Sequence, residues 1–226
     1  MAKQQLPANT AYATQPYWEQ RFKDEEEYDW LNTFADLKTQ LKTFLPPPST
    51  NPRILLVGVG NSTFSKDLFD NGWTNLVNTD YAPTVIGNMK TKHQDMEWVV
   101  CDMTDMRPSF PFDEVFDVVL DKAAMDALIS SEKDVWCPAD EPVISTRKSL
   151  SEVWRVLKKG GLHLQVSFVQ PHFRKKYLTG GHRTEKEREE GTEVICAFPW
   201  EGGVVDVEEI QGGNGMFQNF FYVMRK

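Results

Sequence analysis

The run RILLVGVGNS places Gly58 and Gly60 directly after four apolar residues and ahead of a polar turn. Where a strand turns sharply into a helix, such glycines let the backbone approach a ligand without Cβ interference, and the helix start offers unpaired N–H groups. About 20 residues on, Asp80 ends the run LVNTD, a position from which a carboxylate accepts both hydroxyls of a ribose. Asp102 ends MEWVVCD, where it suits an exocyclic adenine amine, and Met103 beside it adds a backbone N–H and an apolar contact. Thr63 occupies the third-glycine position of a GxGxxG pattern, and its side chain opposes the close helix approach that seats a dinucleotide pyrophosphate. Together these residues describe a site for a nucleoside-bearing ligand other than a nicotinamide dinucleotide. The ordinary alternative for either acid alone is capping of the next helix or turn.

The elements that must hold these residues alternate. RILLVG, LVNTD, MEWVVCD, VFDVVLD and LHLQVSFV read as strands; STFSKDLFDNG, APTVIGNMKTKH, AAMDALI and ISTRKSLSEVWRVLKKGG read as helices, the last stopped by its paired glycines. Such alternation predicts an α/β fold with a mostly parallel sheet, helices on both faces and ligands at the carboxyl ends of the strands. Ahead of it, Trp30, Phe34, Leu37, Leu41 and Phe44 recur at helical spacing until PPPSTNP ends the segment. Beyond Pro171 most of the run HFRKKYLTGGHRTEKEREEG reads as a solvated connection or helix face, and TEVICAFPW and MFQNFFYVM read as strands of an antiparallel edge hairpin. A single domain over 1–226 follows, with a helical lid segment at 1–48, a ligand-binding α/β core at 53–170 and a substrate-side connection and hairpin at 171–226.

With 40% hydrophobic and 26% charged residues the chain has the composition of a soluble globular protein. A net charge of −8 with no basic stripe argues against nucleic acid and favours a cationic partner. Cys101, Cys137 and Cys196 form no CxxC pair, and His93, His163, His172 and His182 show no metal-ligand spacing, so reduced thiols and no metal are expected. The N-terminal stretch lacks the apolar region of a secretion signal, no later run is long enough to span a bilayer, and a cytoplasmic location is expected.

In this order and spacing, the glycine turn, Asp80, Asp102, FDVVLDK and VLKKGG resemble the class I S-adenosylmethionine-dependent methyltransferases. More narrowly, PYWEQRF, YDW, VGVGNS, DVVLDKAAMDAL, LSEVWRVLKKGG and PHFR resemble the methyltransferase-like 13 group, over roughly Tyr17 to His172, with Val59 where that group usually carries cysteine. The resemblance implies a Rossmann-like seven-stranded sheet and S-adenosylmethionine as cofactor, with S-adenosylhomocysteine as product. It implies cofactor contacts from Trp18, Phe22, Trp30, Gly58, Asp80, Asp102 with Met103, and Lys122; Gly60 and Tyr81 belong to the same constellation. It further implies protein-lysine N-methylation, with a basic, lysine-bearing partner, translation elongation factor 1A.

Aromatics at the N-terminus suit a lid over a sulfonium, or else only pack the first helices onto the sheet. Lys122 either meets the cofactor carboxylate, keeps Asp121 ionised, or snorkels to the surface. Asp121 and Asp126, following the fourth strand, are the candidates for positioning the acceptor, and Trp136, His172 and Phe173 either line the entrance or simply pack. A small-molecule methyltransferase and a catalytically silent cofactor-binding scaffold share every cofactor-side feature, so only the acceptor side separates them.

Overall fold

The computed structural model describes residues 8–192, 197–202, 206–211 and 218–226. A 3-10 turn at Asn9–Ala13 leads into helix α1 (Gln15–Asp24), and α2 (Phe34–Phe44) follows. The periodic run begins later than its spacing suggests, because Thr33 and Asp36 form a capping box that starts α2 at Phe34, while Leu31 turns the chain at a φ of 64°. Trp30 therefore lies in the connecting loop. Phe34, Leu37 and Leu41 form the buried stripe of α2.

From Ile54 the expected alternation is present: β1 (Ile54–Val57), α3 (Phe64–Asp70), β2 (Leu76–Asp80), α4 (Pro83–Lys92), β3 (Glu97–Val100), β4 (Phe116–Lys122), α5 (Ala124–Leu128), α6 (Asp140–Val156) and β5 (Leu157–Ser167). Helices α7 (Pro171–Leu178) and α8 (Glu185–Glu189) and strands β6 (Asp206–Gln211) and β7 (Gln218–Arg225) complete the chain. The seven strands lie in the order β3-β2-β1-β4-β5-β7-β6; β1 to β5 pair in parallel, and β7 runs antiparallel to both β5 and β6. Alternate strand residues serve opposite layers: Ile54 and Leu56 pack with α2, α3 and α4, whereas Leu55 and Val57 pack with Met125 of α5 and Leu150 and Val153 of α6.

Three further sequence expectations change. Helix α6 stops at Val156, and LKKGG belongs to β5, where Leu157 already pairs with Phe116 before a register shift. Gly161 is needed there because a Cβ would sit 2.8 Å from the Lys158 carbonyl and 3.0 Å from that of Asp117, so the glycines serve an irregular strand entry rather than a helix stop. The outer hairpin strand is β6, not TEVICAFPW; within that run 193–196 lie outside the described residues, and Phe198 and Trp200 are buried but not in a strand. The charges of DVEEIQ conceal an edge strand, a place where charged side chains reach water without leaving the sheet. The run after Pro171 does form a helix, α7, but it is not wholly solvated: Arg174, Tyr177 and Leu178 are buried.

Candidate functional site

Strand order reverses between β1 and β4, and at the carboxyl ends of these strands lies a cavity of about 660 Å³. All ten residues expected on the cofactor side line it: Trp18, Phe22, Trp30, Gly58, Gly60, Asp80, Tyr81, Asp102, Met103 and Lys122. Asp126 lines it as well; Asp121 does not.

Gly58 and Gly60 adopt φ of 59° and 54°, left-handed backbone that favours glycine. Their surroundings differ. A Cβ on Gly58 would stand 2.5 Å from the Ala124 Cβ at the start of α5, whereas one on Gly60 would make an ordinary 3.5 Å contact with the Phe22 ring. Gly58→Ala is therefore expected to lose about 3 kcal/mol through backbone strain plus overpacking, a fall in melting temperature of about 6–12 °C. Gly60→Ala should lose only the backbone part, about 1–2 kcal/mol. Thermal melts of the two variants side by side check the difference.

Asp80 is held by two backbone donors: the Gly60 N–H reaches Oδ2 and the Ala82 N–H reaches Oδ1, each at 3.0 Å. Burial pushes its carboxyl up to about 6, against the lowering effect of these N–H groups. Each oxygen retains a lone pair for a further donor, so the group fits the paired hydroxyls of a ribose. Asp102 lies two residues beyond β3; its Oδ1 accepts the Thr104 N–H and hydroxyl, both at 2.8 Å, leaving Oδ2 for an adenine amine. Cys101 lines the cavity too, but burial raises its thiol to about 11 and keeps it unreactive.

An aromatic cluster covers the other side. Trp18 stacks on Phe22 at 5.5 Å and donates through Nε1 to the Tyr12 carbonyl at 2.7 Å, while Trp30 meets Trp18 edge-on at 6.0 Å. The Arg21 guanidinium sits over Trp18, Tyr28 and Trp30, 5.6, 5.2 and 4.9 Å from their centroids. Asp29 ties this cover to the glycine turn: it accepts the hydroxyls of Ser62 and Thr63 and an ion pair from Lys122 at 3.2 Å. Lys122 also donates to the Trp30 carbonyl at 2.8 Å, so it is an internal tether rather than a snorkelling surface lysine. Nor does it act on Asp121, since adjacent strand residues point to opposite faces.

Of the two carboxylates expected to position the acceptor, Asp121 needs correction because it lies outside the cavity wall, whereas Asp126 lines it. Asp121 accepts the N–H groups of Ala124 and Met125 and, at 2.7 Å, the Gln165 amide; it caps α5 outside the cavity wall. Asp126 faces the cavity with its oxygens engaged by the Ser167 hydroxyl at 2.7 Å, the Phe168 N–H and the Arg174 guanidinium. Neither is a free base. Phe173 lines the cavity; Trp136 is 69% exposed and packs on it at 4.9 Å, with His172 beside them. Glu132, Glu141, Phe168 and Tyr177 also line this end, and sequence reasoning named none of them. Tyr177 was legible in principle, since Phe173 and Tyr177 are four residues apart behind a proline that can start a helix.

Comparison with known proteins agrees with this geometry. A methyltransferase domain family matches residues 55–164. EEF1A lysine methyltransferase 4 of Bos taurus is 30% identical over 222 residues, covering 96% of this chain and 77% of the relative. Its Mus musculus counterpart is 36% identical over 170 residues, 74% of this chain, and the match spans 65% of that relative, just under two thirds. The eEF1A lysine and N-terminal methyltransferase of Homo sapiens is 34% identical over 172 residues, but these are only 23% of its length. Among solved structures, the N-methyltransferase NodS of Bradyrhizobium japonicum WM9, in complex with S-adenosylhomocysteine, superposes with a TM-score of 0.56 at 16% identity, covering 95% of this chain and 98% of its own. A methyltransferase of Methanosarcina mazei gives 0.54 at 20% identity, covering 83% and 96%. These last two show the fold. With the bovine match over 96% of this chain, the glycine turn and the strand-end Asp80, they place the chain in the class I S-adenosylmethionine-dependent methyltransferases, in the group that includes EEF1A lysine methyltransferase 4.

Proposed function

We propose that this chain is a protein-lysine N-methyltransferase, built as one catalytic domain, and that its acceptor is a lysine of translation elongation factor 1A in the cytoplasm. One observation carries the reading: a single cavity joins the glycine turn and Asp80 at one end to a wall bearing Glu132 and Glu141 at the other. The first end suits a nucleoside, and the second draws in a cation.

Bound S-adenosylmethionine supplies an electrophilic methyl: the amine lone pair forms the new C–N bond while the C–S pair returns to sulfur, giving S-adenosylhomocysteine and a methylated ammonium. The chain's own residues position and desolvate. Asp80 would hold the ribose, Asp102 and Met103 the adenine, and the Trp18, Phe22 and Trp30 cover would exclude water from the reacting end. Before reaction the lysine ammonium must release a proton to water, at a cost of about 4–5 kcal/mol at pH 7 for a pKa near 10.4. Burial of the amine beside a cationic sulfonium reduces that cost. The acidic net charge favours a basic protein surface as partner.

The test is incubation of the chain with labelled S-adenosylmethionine and elongation factor 1A, followed by peptide mass spectrometry. Label on one lysine is the expected result. Calorimetric binding of S-adenosylhomocysteine with no label on the factor would keep the cofactor assignment and overturn the acceptor.

A further inference from the structure

The acceptor end of the cavity contains a polar group that the protein itself leaves unused. Tyr177 lines the cavity and is 4% exposed, and among the described residues its hydroxyl has no hydrogen-bond partner. A buried hydroxyl without a partner is unfavourable, and because Tyr177 lines the cavity, a ligand group seated against this wall would complete it. Its position is well fixed. One turn earlier on α7, Arg174 is fully buried, donates to the Ser167 hydroxyl at 2.6 Å and pairs with Asp126; on the other flank the His182 ring packs against Tyr177 at 4.3 Å.

The rest of this wall has a consistent chemistry. Glu132 bears electrostatically on the Tyr177 hydroxyl, and its own oxygens are oriented by the N–H groups of Lys133, Asp134 and Ala139 at 2.7, 2.7 and 3.0 Å. Glu141 accepts the Ser131 and Ser145 hydroxyls. Phe168 and Phe173 give the same wall its apolar surface. An aliphatic stem with a cationic head matches this pattern: aromatics for the methylenes, carboxylates for long-range attraction, and one neutral hydroxyl for the terminal nitrogen. Burial holds the phenol above its ordinary pKa, so it remains an un-ionised hydroxyl at neutral pH.

We propose that this wall is the subsite for a primary alkylamine, with the Tyr177 hydroxyl accepting an N–H of the acceptor amine and orienting its nitrogen toward the glycine-turn end of the cavity. Tyr177 is a positioning residue in this arrangement. The inference rests on the lysine reading above, but its test does not depend on the protein substrate.

The probe is an S-adenosylhomocysteine analogue with nitrogen in place of sulfur, carrying a primary aminoalkyl chain where the methyl would be. In wild type the added amine should tighten binding about 10- to 100-fold over S-adenosylhomocysteine, the range of one hydrogen bond to a charged or polar head. Tyr177→Phe should lose most of that gain while leaving S-adenosylhomocysteine affinity unchanged and melting temperature unchanged or slightly raised, because the hydroxyl has no partner among the described residues to lose and its unpaired burial is relieved. With elongation factor 1A the same variant should lower kcat about 10-fold or more at unchanged KM for the cofactor. If Tyr177→Phe keeps the full gain, the subsite is overturned whether or not the factor is labelled. If the gain depends on Tyr177 but the factor takes no label, the amine subsite stands and the assigned protein acceptor falls. Absence of S-adenosylhomocysteine binding would overturn both.

Discussion

Asp80→Asn is expected to bind S-adenosylhomocysteine about 100-fold more weakly than wild type, a loss of about 2.7 kcal/mol, while melting within a few degrees of it. The magnitude follows from two hydroxyl donors to one carboxylate, each hydrogen bond to a charged group contributing about 1.5–3 kcal/mol, with part recovered by the amide oxygen that remains. The small stability effect follows from the site itself. The carboxylate is 5% exposed, and burial raises its pKa to about 6, so the ionised form is disfavoured in the empty protein; neutralising it removes that penalty while sacrificing one of the two backbone hydrogen bonds. The sign of the pH dependence is set by the same group. Ribose hydroxyls bind best to the ionised carboxylate, so wild-type affinity should be level above about pH 7 and fall toward tenfold per pH unit below about 6. Asp80→Asn should show no such slope between about pH 5 and 7. Calorimetry across this range checks both parts, and a wild-type affinity flat to about pH 5 would remove Asp80 from the cofactor site.

The end of the cavity proposed for the cofactor was legible in the sequence because its residues lie at or just beyond strand ends. Each of Gly58, Gly60, Asp80 and Met103 sits where an apolar run stops, and a parallel sheet brings all such stops to one edge. The end proposed for the acceptor was legible only in Asp126 and Phe173, for two physical reasons. Asp121 lies in β4 and Asp126 follows it, and their side chains diverge: the pleat turns Asp121 into the opposite layer, while α5 carries Asp126 to the cavity. Arg174 and Tyr177 are hidden in a run rich in lysine and arginine, and composition alone cannot show that this one guanidinium is buried beside Asp126. Asp29 illustrates the same limit. Between Tyr28 and Trp30 it reads as an ordinary surface acid, yet it joins the aromatic cover to Ser62, Thr63 and Lys122, partners that are 33 to 93 residues away. Edge strand β6 escaped notice because its pattern is charged, whereas buried strands β1 and β2 declare themselves by apolar runs.

Removing Asp126 should be among the most destabilising single changes in the chain. Asp126→Ala is expected to lose about 3–5 kcal/mol, the usual effect of stranding one member of a buried ion pair, and thus to melt about 10 °C lower or more. Arg174 has no exposed surface, and its Nε and Nη1 have no partner among the described residues, so its charge is compensated chiefly by Asp126, the Ser167 hydroxyl and, at longer range, Asp121. Burial lowers its pKa only to about 10, which leaves it cationic at neutral pH and unable to escape the loss by deprotonating. Arg174→Met should be milder, about 1–3 kcal/mol, because Asp126 keeps the Ser167 hydroxyl and the Phe168 N–H and faces a cavity that water can enter. In the double variant no stranded charge remains, so its loss should be smaller than the sum of the two single losses by about 2–3 kcal/mol. Denaturant unfolding of the four proteins measures this coupling. A value near zero would mean that the pair does not anchor α7, and the placement of Tyr177 one turn beyond Arg174 would then need another source of rigidity.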